Sequence, residues 1–113
     1  MTTYRLANEK VAVFAFEVSV LETGQRAIAK LLQNIDGVSN VSVREPFSSS
    51  NALVKFTYQN VDFVVFEPFG DNSRYWIGPL QTYTDYVDIS CIEQNFRCAS
   101  SNKLLSFLAR LFG

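Results

Sequence analysis

Histidine is absent from this 113-residue chain. Without imidazole, Ser-His-Asp and Cys-His catalysis, His-ligated metals and imidazole pH switching are excluded. Glycine and proline are scarce, at five and three residues, which argues against collagen-like repeats and low-complexity disorder. There are two cysteines, Cys91 and Cys98. On a helix, seven positions apart, they stand about 10 Å apart along the axis, too far for a disulfide. Two thiols also fall short of a four-ligand zinc site, so they read as reduced packing residues. No run of three like charges occurs, and ten basic residues balance eleven acidic ones to a net charge of −1. Phosphate neutralisation needs a basic stripe, so nucleic acid is not an expected partner. "MTTYRLANEK" lacks the order of a signal peptide. The apolar run "VAVFAF" is stopped by Glu17, far short of a membrane span. A soluble, cytoplasmic protein is expected.

Apolar residues make up 48% of the chain, including ten Phe, five Tyr and one Trp. That is enough to fill the core of a single globular domain, residues 1–113, without disulfide or metal. Along "KVAVFAFEVSVL" Val11 and Val13 share one face, and Phe14, Phe16, Val18 and Val20 share the other. This predicts a strand over 10–21 with a bulge near the change of face, or a strand covered on both sides. "ETGQRAIAKLLQNIDG" predicts a helix from the stripe Ala27, Ile28, Leu31, Leu32 and Ile35, with Thr23 as N-cap and Gly37 as stop. Val38, Val41 and Val43 form a short strand that ends at Pro46. "ALVKFTYQNVDFVVFEPF" reads as a hairpin about Gln59-Asn60, where Asn60 supplies positive φ.

The joint from that helix through "IDGVSNVSV" resembles the helix-to-strand joint of ferredoxin-like βαβ units, including small heavy-metal-associated domains. Leu31, Ile35, Gly37, Val38, Val41 and Val43 carry the likeness. The paired metal-binding cysteines of those domains are missing, so no metal function comes with it.

"RYWIGPL", residues 74–80, predicts another strand. Residues 85–98 fit a helix through Ile89, Ile92 and Phe96, with Thr84 as N-cap, though Val87, Ile89 and Cys91 keep a strand open. "ASSNKLLSFLARLFG" predicts a final amphipathic helix. The fold class expected is α+β: an antiparallel sheet of about four to five strands, helices mainly on one face, in the order β-α-β-β-β-(β)-α-α. Strands flanking the first helix could pair parallel.

The densest chemistry lies in "FEPFGDNSRYWIGP", residues 66–79. Glu67, Asp71, Arg74, Tyr75 and Trp76 combine the residue types enriched at binding hot spots. "GDNS" in its middle is turn chemistry, with Phe66, Phe69 and Trp76 entering the core around it. Strand alternation sends Tyr75 and Ile77 to one face and Arg74 and Trp76 to the other. The carboxylates Asp85, Asp88, Glu93, Glu67 and Asp71 suit helix starts and loops as well as Mg²⁺ or acid–base work. "SSS" at 48–50 has no base to activate a nucleophile. These features lead to a non-enzymatic domain that binds another protein, in the manner of an immunity protein that neutralises a toxin, with no cofactor and no metal. The alternatives are a membrane-surface or oligomerising adaptor using the last helix, and a small carboxylate/Mg-dependent hydrolase. A membrane partner is disfavoured, and homodimerisation at a sheet edge is open.

Overall fold

The computed structural model describes residues 2–7, 11–19, 25–44, 52–67, 74–81 and 86–99. They form strands β1 (Thr2–Leu6), β2 (Ala15–Ser19), β3 (Val38–Val43), β4 (Ala52–Tyr58), β5 (Val61–Phe66) and β6 (Tyr75–Pro79), with helices α1 (Gln25–Gln33) and α2 (Ser90–Cys98). The α+β class holds, but the sheet has six strands in the order β1-β2-β6-β5-β4-β3. Every pairing is antiparallel. β3 to β6 run as a meander, and the β1–β2 hairpin closes onto the free side of β6.

Three expectations need correction. β1 has no counterpart in the sequence reading, because its Thr-Thr-Tyr-Arg-Leu run is too polar to stand out as a half-buried strand. β2 and β3 do not pair through α1: β6, β5 and β4 lie between them. The ferredoxin-like likeness therefore stops at the α1–β3 joint. The strand expected over 10–21 begins only at Ala15, after a bend at Phe14, whose N–H donates to the Leu6 carbonyl at 3.0 Å. The change of face between Val13 and Phe14 marks that bend.

Alternation in the ladders sorts the side chains. One face carries Phe16, Val18, Val54, Phe56, Phe63, Val65, Tyr75 and Ile77. Ile28 and Leu32 of α1 and Ile92 and Phe96 of α2 join them in one buried cluster, so both helices cover this face. Phe16 meets Phe96 edge-on at 5.4 Å between ring centroids, and Phe56 stacks on Phe63 at the same separation. Each such buried ring contributes about 1.5–3 kcal/mol.

The hairpin turn is as expected: Gln59 and Asn60 have φ of 51° and 63°, the pair of positive values that lets a two-residue turn follow the strand twist. Gly37 ends the α1 region at φ 89°. α2 starts later than the pattern of residues 85–98 implies. Just before it, Asp88 Oδ1 accepts from the Ser90 N–H at 2.7 Å and from the Ser90 hydroxyl, while Ile89 at the N-cap position makes no side-chain cap bond. These bonds hold the Asp88 carboxyl below the usual carboxylate range. The Ile89 N–H donates to the Val13 carbonyl at 2.8 Å and ties the start of α2 to the β1–β2 hairpin. Thr23, Thr84, Asp85, the serines at 48–50 and the helix expected at the end of the chain lie outside the described residues.

Candidate functional site

On the sheet face opposite the helices, one register row crosses five strands: Tyr4 is opposite Glu17, Glu17 opposite Trp76, Trp76 opposite Phe66, and Phe66 opposite Ala52. Cross-strand partners point the same way, so Tyr4, Glu17, Trp76 and Phe66 stand side by side. Arg74, two residues before Trp76, joins them. Its guanidinium carbon lies 3.8 Å from the centre of the Tyr4 ring, and its Nη1 is 3.8 Å from Glu17 Oε2.

Packing fixes the aromatics. Phe66 and Trp76 are 5.0 Å apart between centroids and tilted by 47°, in the range of favourable aromatic pairs. The indole leans along β6 over Gly78. A Cβ built there would come within 2.6 Å of Trp76 Cζ2 and 2.8 Å of Ala15 Cβ. Glycine at 78 thus lets the indole lie flat on the sheet. Trp76 and Phe66 remain half-buried, and Tyr4 is 39% exposed.

Glu17 supplies the polar feature of this row. Its side chain is 19% exposed, and Oε2 is a buried side-chain oxygen without a hydrogen-bond partner. Arg74 neutralises it across 3.8 Å, beyond hydrogen-bond length, while its own side chain stays 38% exposed. The nearby guanidinium offsets the charge of an oxygen that is closed to solvent, while the guanidinium itself remains partly exposed on its tyrosine ring.

The sequence-predicted set divides. Arg74 and Trp76 come together on this row. Tyr75 points the other way, 7% exposed in the core, and is withdrawn from the contact set, since alternation places it beneath the helices. Burial raises the Tyr75 hydroxyl pKa, and the nearby Glu67 charge raises it further. Glu67 is half-buried just past β5, and Asp71 lies outside the described residues. Tyr4 and Glu17 lie outside the sequence-predicted set, and Phe66 and Trp76, expected to enter the core, stand half-buried on the helix-free row. The signal was the Thr-Tyr-Arg alternation of residues 3–5, legible only once β1 is recognised as a strand.

A second polar cluster sits on the helix side. Glu93 is completely buried. Its Oε1 accepts from Thr3 Oγ1 at 2.6 Å and Arg5 Nε at 3.1 Å, and its Oε2 accepts from Arg97 Nη2 at 2.7 Å. Thr3 and Arg5 belong to β1, so this carboxylate fastens the edge strand to α2. Every oxygen is used, as a buried charge requires. Asp88 likewise spends its carboxylate on Ser90 at the start of α2. Among the described residues, no group of three or more Cys, Asp or Glu is placed to hold a metal ion. No helix among them is long and apolar enough to cross a membrane.

The chain matches no protein-family profile, no curated protein and no solved structure. Function is therefore read from these side chains alone.

Proposed function

We propose that this is a non-enzymatic protein-binding domain whose contact surface is the helix-free row Tyr4, Glu17, Phe66, Arg74 and Trp76. The supporting observation is the combination on one row of a tryptophan, a tyrosine-stacked arginine and a buried carboxylate oxygen with no hydrogen-bond partner. Rigid aromatics bury large area at small entropic cost, and Arg74 adds directional donors, which is how a few residues come to dominate an interface. The partner segment supplies a hydrogen-bond acceptor to the exposed part of Arg74 and an apolar group against Trp76 and Phe66. Inhibition of a cognate toxin, as by an immunity protein, is the specific form this reading takes. It is supported by the small size of the domain and its mixed-charge aromatic surface.

The test is affinity capture from native lysate on immobilised wild-type chain, followed by titration of the captured protein against variants. Arg74→Ala and Trp76→Ala should each weaken binding by about 30-fold or more, the scale of a hot spot. Asn34→Ala, on the far side of the molecule beside α1, should leave it unchanged. Equal affinity for all three variants, each folded by circular dichroism, would refute the surface.

A further inference from the structure

Among the described residues the sheet has two edges, β1 and β3, and they differ. β3 carries a register irregularity between Ser39 and Ser42, with Asn40 at φ 53°. A bulge of this kind twists an edge away from incoming strands. β1 has no such guard. Its five residues pair with β2 in unbroken register, it contains no proline, and Thr2, Tyr4 and Arg5 are exposed. Its single charge, Arg5, is engaged with Glu93 on the helix side. The Glu93 bonds to Thr3 and Arg5 also hold the strand straight against α2, so the edge is a preformed template.

We propose that β1 is a pairing edge through which two copies of this chain join, antiparallel about a two-fold axis at Tyr4, fusing two six-stranded sheets into one. The register follows from the backbone. In an antiparallel ladder every second residue turns its N–H and C=O away from β2. An axis between two residues would set outward groups against inward ones, so the axis passes through a residue. At Arg5 it places two guanidinium groups opposite each other, and at Thr3 it leaves part of the strand unpaired. At Tyr4 it pairs the whole of Thr2–Leu6 with itself, with Arg5 opposite Thr3 of the second copy and Leu6 opposite Thr2. No like charges meet. The two Tyr4 rings become neighbours on the helix-free face. The surface buried is smaller than the roughly 1,600 Å² of a standard interface, so the dimer forms at micromolar or higher concentration.

Sedimentation velocity of the full chain from about 1 µM to about 1 mM should show a monomer–dimer equilibrium. Tyr4→Glu sets two carboxylates opposite at the axis and should weaken it at least tenfold. Register is read by cross-linking in a Cys91→Ser, Cys98→Ser background. Oxidised Tyr4→Cys should form a covalent dimer, because residues directly opposite bring Cα atoms to about 4.5–5.5 Å. Leu6→Cys should not, since its two copies stand about 13 Å apart in this register. Both readouts are independent of any other partner. A chain monomeric throughout, with no Tyr4→Cys cross-link, overturns the proposal and leaves β1 to a strand from a different protein. Cross-linking at Leu6→Cys, or a dimer indifferent to Tyr4→Glu, overturns it equally.

Discussion

Glu93→Gln is the most direct probe of how the edge strand is held. The amide has the same shape as the carboxylate, so no cavity opens. Its oxygen can still accept from Thr3 and Arg5, but without charge. Its NH₂ group then faces Arg97 Nη2, now 2.7 Å from Oε2, and sets donor against donor. A hydrogen bond to a charged group contributes about 1.5–3 kcal/mol and a neutral one about 0.5–1.5, so two weakened bonds and one lost bond sum to about 4 kcal/mol. Two effects reduce that. Arg5 and Arg97 are 49% and 46% exposed and regain water, and the cost of burying an ionised carboxylate disappears. A net loss of about 2 kcal/mol is expected, a fall in midpoint of about 8 °C for a domain of this size. Urea unfolding followed by Trp76 fluorescence measures it. The penalty should persist in about 1 M salt, because a buried carboxylate is little screened. Replacing the cluster as a whole, by Arg5→Met, Glu93→Leu and Arg97→Met together, should cost less than Glu93→Gln alone, since it removes the buried charge along with its partners. If Glu93→Gln changes stability by less than about 0.5 kcal/mol, Glu93 does not clasp β1 and the reasoning fails.

Gly78→Ala drives a methyl group into the indole and Ala15, and should cost about 1–3 kcal/mol while shifting Trp76 emission to longer wavelength as the ring is displaced. An unchanged spectrum would show that the indole does not lie over Gly78. Gly37→Ala forces a side chain into φ 89° and to 3.2 Å from Tyr58 Cε2, and should destabilise by about 1–2 kcal/mol in urea unfolding, with Gly37→Asn costing less. Asp88→Ala removes the bonds to Ser90 at the start of α2 and should cost about 1 kcal/mol at neutral pH. The folded pKa of Asp88 lies below its unfolded value, so its stabilisation is present above the unfolded value of about 3.9 and is lost as pH falls through the folded one. The difference between wild type and Asp88→Ala should be flat near neutrality and shrink in acid; a difference that grows on acidification would contradict a stabilising role for the Asp88–Ser90 bonds.

Where residues act locally, the sequence was sufficient. The α1 stripe, the Gly37 stop, the Gln59-Asn60 turn and the β4–β5 hairpin each rest on a handful of neighbours, and each stands where periodicity and turn chemistry place it. The alternation that separates Tyr75 from Trp76 was equally legible. What could not be read was the order of strands. β2 reaches β6 across an intervening helix and three strands, and nothing in "AFEVS" specifies that partner, because any hydrophobic edge satisfies its ladder. Glu93 was hidden for the same reason. Beside Cys91 and Gln94 it resembles a solvated helix carboxylate, and its burial depends on Thr3 and Arg5, 90 and 88 positions away.

β1 is therefore the strand through which the two faces of the sheet communicate. Alternation gives Thr3 and Arg5 to the helix side and Tyr4 to the other. The same five residues are thus clamped by Glu93 and present the ring on which Arg74 stacks. Arg74 lies between Tyr4 and Glu17, its guanidinium carbon 3.8 Å from the centre of the Tyr4 ring and its Nη1 3.8 Å from Glu17 Oε2. The two clusters thus lie on opposite sides of one shared backbone. A short polar segment that does not announce itself as structure is held here because Glu93 fastens it to α2 in addition to its ladder with β2.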